Sequence, residues 1–301
     1  MSSVASPSNR YAGANAIDRA HPAVKLSAMQ DRTAAPSSTF IAADGDGYEI
    51  SMGRWSRRLA DHFIDFAGST DGEEVLDVGS GTGSLSFTLA ARAPNSTIKG
   101  IDFSAPYVAF AQRKTTQPRL SFETGDACAM PYADKSFDRV LSLLVLHYVR
   151  EPKKAIAEMR RVARPGATVA ATVWDARGGF VGNRIFFDTA AALDPGAEKN
   201  RTRYYTHPMT RPGELAAAWH EAGLADVREG YLTIRMEFAD FADYWAPMTG
   251  KDGPLAAYVN SLETAPRERF RTALNAAYCG GEADGPRSFA ASAWAVRGTA
   301  P

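Results

Sequence analysis

The ten residues Glu74-Val-Leu-Asp-Val-Gly-Ser-Gly-Thr-Gly83 constrain the fold more than any other stretch of the chain. A short apolar run that stops at alternating glycines reads as a buried strand ending in a tight turn. The stretch after Gly83 carries Leu85, Leu89 and Ala90 on one face and reads as a helix that Pro94 stops. Strand, glycine turn and helix form the first half of a parallel crossover unit, and a sheet built from such units offers its ligand crevice at the carboxyl ends of its strands. Small residues there let the backbone approach a ligand closely, and the unpaired N–H groups of the following helix favour an anionic group.

The same alternation continues. Thr97 to Ile101 predicts a second strand ending at Asp102, after which Ser104 caps a helix with Pro106 in its first turn. Arg119 to Glu123 and the apolar Arg139 to Val145 predict the third and fourth strands. Glu151 to Arg164 follows as a helix with Ile156, Met159 and Val162 inward, closed by Pro165-Gly166, and Ala167 to Val173 is the fifth strand. A helix over Gly213 to Ala222 and strands over Val227 to Met236 and Phe289 to Val296 complete the pattern. The expected fold is α/β: a Rossmann-like, mostly parallel seven-stranded sheet with helices on both faces, plus helical insertions near the C-terminal strands. Residues 1–39, rich in Ser, Ala and Pro, are expected to be a disordered leader, and 40–301 a single domain. Within it, Trp55, Leu59, Phe63 and Phe66 give the segment 48–73 a helical apolar face, 74–175 form the core, and 176–210 and 240–285 are insertions.

Composition narrows the function. Lys plus Arg and Asp plus Glu number 34 each, so no net charge draws the protein to nucleic acid or an anionic membrane. The two cysteines, Cys128 and Cys279, are too far apart for a metal-binding spacing, and no metal is expected. No run approaches the roughly 18 apolar residues that a membrane-spanning helix needs. The N-terminus lacks a charged start followed by an apolar core, so the expected location is cytoplasmic.

Asp102 stands 19 residues after Gly83 at the end of the second predicted strand, where a carboxylate can accept both hydroxyl hydrogens of an adenosine ribose. A nicotinamide dinucleotide site shares loop and acid. Here, however, the glycines run G-x-G-x-G, and Ser84 occupies the position that would complete G-x-G-x-x-G.

Val75-Leu-Asp-Val-Gly-Ser-Gly-Thr-Gly83, Gly100-Ile-Asp-Phe-Ser104, Gly125-Asp-Ala127 and Ser136-Phe-Asp138 together resemble the ordered motifs of class I S-adenosylmethionine-dependent methyltransferases. Leu143-Leu-Val-Leu-His-Tyr148 and Arg164-Pro-Gly166 are similar to the subgroup that includes the ubiquinone and menaquinone biosynthesis methyltransferases. The resemblance covers residues 48 to 175 well and the rest in outline. It implies S-adenosylmethionine as cofactor, with the backbone of Gly79, Ser80, Gly81, Thr82 and Gly83 against its methionine part and Asp102 on the ribose. Phe103 would lie on the adenine, Asp126 would accept from the adenine amino group, and Ala127 would offer its backbone N–H. Asp77 would hold the loop or, through water, the ammonium, and Leu143 would floor the site. Met52-Gly-Arg-Trp-Ser56 resembles the N-terminal lid of close relatives, although Arg54 and Trp55 also read as a plain helix start with one apolar anchor. Phe103 could also be core packing, although its place directly after Asp102 favours stacking, and Asp138 reads better as a strand-start residue than as a ligand.

Methyl transfer is an in-line displacement that positioning alone can accelerate by roughly 7 to 11 kcal/mol, so no catalytic triad or metal is required. Where an acceptor must lose a proton, His147, just beyond the fourth strand, and His207, in the first insertion, are the candidate bases, although a helix-capping role for His147 and a plain loop role for His207 are the favoured readings. Enzymes acting on base or amide nitrogens often carry Asn or Asp followed by Pro-Pro and an aromatic after the fourth strand, and Ser142-Leu-Leu-Val-Leu-His147 does not. The expected acceptor is a small, partly apolar molecule, since Trp174, Phe180, Phe186, Phe187, Tyr204, Tyr205, Tyr244 and Trp245 populate the insertions. Two other readings share the glycine loop: a NAD-dependent oxidoreductase and a non-catalytic S-adenosylmethionine-binding protein. The sequence is silent on oligomeric state.

Overall fold

The computed structural model describes residues 37–40 and 42–301, so most of the expected leader lies outside the described residues. Its last residues do not behave as a leader. Ser38 forms a β-bridge with Val149, and Thr39 N–H donates to Tyr148 O at 2.8 Å.

The chain then forms a short helix, α1 (Gly45–Tyr48), a π-helical turn over Glu49–Gly53, and helix α2 (Arg54–Ala67). Trp55, Leu59, Ala60, Phe63, Ile64 and Ala67 recur at helical spacing and are all buried, and Gly68, at φ +67°, ends the helix in the left-handed conformation that glycine adopts freely. The core follows as β1 (Glu74–Val78), α3 (Ser84–Arg92), β2 (Thr97–Asp102), α4 (Ala105–Lys114), β3 (Leu120–Thr124), β4 (Phe137–Leu143), α5 (Pro152–Val162) and β5 (Ala163–Trp174). Next come α6 (Val181–Leu193), α7 (Glu198–Tyr205), α8 (Glu214–Glu221), β6 (Ala225–Phe238), α9 (Phe241–Trp245), α10 (Gly253–Ser261), α11 (Thr264–Cys279) and β7 (Arg287–Thr299).

The seven strands form one sheet in the order β3-β2-β1-β4-β5-β7-β6, parallel except for β7, which runs antiparallel to both neighbours. Strand periodicity divides the core in two. Val75, Ile98 and Leu141 pack with α2, α3 and α4, whereas Leu76, Val78, Ile101 and Val140 pack with Ile156 and Met159 of α5 and Leu215 and Trp219 of α8. Because both faces are covered, β1 and β4 are buried almost throughout. The first layer continues into the aromatic insertions α6–α7 and α9–α11, which bring Trp174, Phe180, Tyr204 and Tyr244 into one cluster.

Two boundaries differ from the sequence expectation for physical reasons. Strand β4 stops at Leu143 rather than Val145 because Leu144 has φ +64°, outside the extended region. Strand β5 begins at Ala163, inside the predicted helix end, where Ala163 pairs with Phe137 before an irregularity shifts the register to Arg139 against Thr168.

Candidate functional site

The glycine turn is fixed from below. The N–H groups of Gly79 and Ser80 both donate to Ile101 O, at 2.7 and 3.0 Å, binding the turn to the end of β2. Gly79 has φ +75°, and a Cβ there would lie 2.3 Å from Val145 Cγ2. Gly81 has φ +54° but faces space, its nearest neighbour being Tyr107 Cδ2 at 3.9 Å. Gly83 does something different: at φ +91° it caps α3, and a Cβ would strike Phe87 at 2.6 Å. It shapes the loop and does not border the crevice that Gly79 and Gly81 border.

Asp102 ends β2 beneath this turn, only 7% exposed. Its Oδ2 accepts from Gly81 N–H and its Oδ1 from Ser104 N–H, each at 2.8 Å. Burial pushes its pKa up to about 6, against the lowering effect of those two donors. Asp77 is buried more deeply. Its Oδ2 accepts from Ser86 Oγ at 2.6 Å, while Oδ1 has no partner. Burial, partly offset by Ser86 and aided by the charge of Asp102, raises it to about 7. Ser80 Oγ and Ser84 Oγ are likewise buried and unpartnered. All three border a small cavity of about 30 Å³, together with Thr82, Tyr48 and Leu143. An orphaned carboxylate oxygen flanked by two free hydroxyls is complementary to a cationic donor such as an amino-acid ammonium.

The main cavity, about 180 Å³, has room for on the order of a dozen waters, well beyond a structural water site. At the sheet it is lined by Gly79, Gly81, Asp102, Phe103, Gly125, Ala127 and Leu143, which follow or end four neighbouring strands. Beyond them Trp55, Trp174, Phe180, Met236, Phe238 and Tyr244 form an apolar chamber. Among the described residues no Lys, Arg or His lines it; Asp102 and Asp252 are its ionisable acids. Phe103, 36% exposed, borders the cavity rather than the core. Asp126 does not border it: its Oδ1 accepts from Cys128 N–H at 2.8 Å within its own turn.

Of the roof, the sequence points only to the lid segment Met52–Ser56, of which Met52 and Trp55 line the cavity; the roles of Glu49 and Asp252 have no sequence signal. Glu49 Oε1 accepts from Thr82 Oγ1 at 2.6 Å, fastening the π-helical turn to the glycine loop. Asp252, at the start of α10, makes no bond to its own helix, the usual role of an aspartate there. It accepts instead from Ala43 N–H (2.9 Å), Asp44 N–H (3.0 Å) and Tyr107 Oη (2.8 Å), joining the second insertion to the segment 42–48. Trp55 lines the chamber, with Arg54 over its ring at 4.3 Å and paired to Asp243, so this helix start is anchored to the insertion as well.

His147 and His207 depart from the expectation of a base at the cavity. His147 lies in a single 3-10 turn, Leu146–Tyr148, that turns the Tyr148 ring to the cavity and buries His147 beneath it, ring centroids 4.0 Å apart. Burial holds its pKa well below the usual histidine value, and its Nδ1 has no partner. His207 packs edge-on to Tyr148 and Tyr204, at 5.2 and 6.0 Å, and is not part of the lining either. Of the eight insertion aromatics, Phe186, Phe187, Tyr205 and Trp245 support the chamber from behind.

Comparison with known proteins agrees with this geometry. Residues 76–171 match the family model described as a methyltransferase domain. The chain is 42% identical over 120 residues to a demethylmenaquinone methyltransferase of Renibacterium salmoninarum, a match covering 39% of this chain but only 47% of that relative. It is 35% identical over 162 residues to a demethylmenaquinone methyltransferase of Roseiflexus castenholzii, covering 51% of this chain and 68% of that one. Among solved structures, phosphoethanolamine N-methyltransferase 2 of Haemonchus contortus, in complex with S-adenosyl-L-methionine, superposes with a TM-score of 0.55 over 85% of this chain and 57% of its own. At 14% identity that likeness is one of fold. The chain belongs to the class I S-adenosylmethionine-dependent methyltransferases, in the subgroup of the ubiquinone and menaquinone biosynthesis enzymes.

Proposed function

We propose that the protein transfers a methyl group from S-adenosylmethionine to a small, largely apolar acceptor held in the aromatic chamber. The observation that carries this reading is the continuity of one cavity from Gly79, Gly81 and Asp102 to Trp174, Phe180 and Tyr244. Donor and acceptor sites so joined allow in-line attack with water excluded.

Asp102 would take the ribose hydroxyls on the lone pairs that Gly81 and Ser104 leave free, and Phe103 and Ala127 would flank the adenine. The unpartnered Asp77 Oδ1, Ser80 Oγ and Ser84 Oγ would receive the amino-acid end, and Leu143, common to both cavities, would lie between it and the acceptor. Bound there, the cofactor supplies an electrophilic methyl on a sulfonium. A lining with no cation among the described residues spares that positive charge from repulsion, and Asp102 and Asp252 favour it. Since among the described residues no histidine reaches the cavity, we assign no protein base, and rate comes from orientation.

Transfer of label from methyl-labelled S-adenosylmethionine to neutral naphthols and quinols, read in an organic extract, tests the reaction. Incorporation that disappears with Asp102→Ala supports it. No incorporation into any acceptor by folded, cofactor-binding protein favours a binding role instead.

A further inference from the structure

Among the described residues, the largely apolar lining of the chamber is interrupted by polar side chains that are not fully paired. Asn183 Nδ2 donates to Tyr204 Oη at 2.7 Å, and both side chains line the cavity. The Tyr204 ring is fixed by stacking on Phe187, centroids 4.4 Å apart, and is 4% exposed. With Nδ2 as donor, the Tyr204 hydroxyl proton and Asn183 Oδ1 have no hydrogen-bond partner among the described residues. Reversing the Asn183 amide would commit the Tyr204 proton and free an amide N–H and the Tyr204 oxygen. Either way the pair offers the chamber at least one donor and one acceptor. Burial holds the Tyr204 hydroxyl well above its ordinary pKa, so it stays neutral. Tyr148, also on the lining, adds a hydroxyl with no partner among the described residues. The other tyrosines there are committed: Tyr244 donates to Gly182 O at 2.6 Å, Tyr107 to Asp252 at 2.8 Å, and Tyr48 pairs with Ser56 at 3.2 Å.

We propose that Asn183 and Tyr204, assisted by Tyr148, are the specificity-determining residues of the acceptor site, gripping a neutral oxygen of the acceptor, a hydroxyl or carbonyl on an otherwise apolar ring. This rests on reading the chamber as the acceptor site. A hydroxyl satisfies donor and acceptor together, whereas a bare hydrocarbon leaves both buried and unpaired, a mismatch that discriminates strongly. A carboxylate or phosphate finds no cation among the described residues of the lining and meets the charges of Asp102 and Asp252. The signal is absent from sequence periodicity, because Asn183 lies on α6 and Tyr204 on α7.

The test uses the full-length protein saturated with S-adenosylhomocysteine and three ring-matched probes, 2-naphthol, naphthalene and 2-naphthoate, titrated at pH 8 by quenching of tryptophan fluorescence. The expected result is binding of 2-naphthol at least about tenfold tighter than either other probe. In Tyr204→Phe, which keeps the stacked ring, and in Asn183→Leu, that preference should fall to a few-fold while S-adenosylhomocysteine affinity stays unchanged. Equal affinity for naphthol and naphthalene, no saturable binding of any probe, or a preference that survives both substitutions overturns the proposal. Failure of the wild-type protein to bind S-adenosylhomocysteine is a separate outcome and removes the methyl-donor reading beneath it.

Discussion

Thr82 Oγ1 donates to Glu49 Oε1 at 2.6 Å, so the turn that would hold the methyl donor is tied to the segment passing over it. Arg57 at 2.5 Å and Lys114 at 3.6 Å keep Glu49 in place. Hydrogen bonds to charged groups contribute about 1.5–3 kcal/mol, and partial exposure puts this one near the lower end. Glu49→Ala is therefore expected to speed release of S-adenosylhomocysteine roughly tenfold. Stopped-flow fluorescence, with Trp55 as reporter, measures it; an unchanged release rate would mean that the strap does not retain the ligand.

Asp252 performs the same task from the other side. Asp252→Ala removes the acceptor of Ala43 N–H, Asp44 N–H and the Tyr107 hydroxyl at once. Each group left unpaired costs about 1–3 kcal/mol where water cannot reach it. Hydrogen exchange over residues 42–48 should accelerate by tenfold or more in the variant, with the strands of the sheet unaffected. Unchanged protection of that segment would contradict the latch.

The glycines separate by cause. Gly79→Ala combines a left-handed φ of +75° with a contact of 2.3 Å to Val145, and is expected to cost at least about 2–3 kcal/mol of stability. Gly81→Ala meets nothing closer than 3.9 Å, so its cost should stay near the conformational penalty of about 1 kcal/mol, yet its methyl enters the cavity. Denaturant melts should rank Gly79→Ala as the less stable, and Gly81→Ala should fold but bind S-adenosylhomocysteine weakly. The reverse order would mean that the loop is not built as described.

Acidity gives a fourth expectation. Asp77, raised to about 7, and Asp102, raised to about 6, both favour their protonated forms in the folded protein without ligand. Their contribution to stability is therefore complete below the ordinary carboxylate pKa and is lost as pH rises through 6 and then 7. Ligand binding has the opposite sign, because ammonium and ribose donors need ionised carboxylates. Affinity for S-adenosylhomocysteine should be flat above pH 7.5 and fall on acidification, first by up to about tenfold per unit and more steeply once both acids take up protons. In Asp77→Asn the upper step should vanish. Calorimetric titration across pH 5–8 checks this, and a flat profile would exclude ionised carboxylates from the site.

The cofactor half of the site was legible because its determinants are local. The turn from Gly79 to Gly83 directly follows β1 and Asp102 ends β2, so spacing along the chain is also proximity in space. Asp126 and Gly83, which the motifs place at the cofactor, do not border the cavity, since sequence cannot tell a residue that shapes a loop from one that borders the crevice. The candidate base His147 does not line the cavity, because the positive φ of Leu144 ends β4 early and the turn that follows brings Tyr148 to the lining instead. Glu49, Asp252 and Asn183 had no local signature. Asp252 reads as an ordinary helix start, and only the fold brings it to its partner Tyr107, 145 residues away along the chain.

The most direct test of the central claim is calorimetric titration of the folded protein with S-adenosylhomocysteine at pH 8, where Asp77 and Asp102 are both ionised. One-to-one binding is expected, with no comparable heat from NAD, and Asp102→Ala should weaken it by about a hundredfold, the loss of two charged hydrogen bonds of about 1.5 kcal/mol each. Absence of binding, preference for NAD, or an Asp102→Ala variant that binds as tightly as the wild type would contradict the assignment of this cavity to the methyl donor.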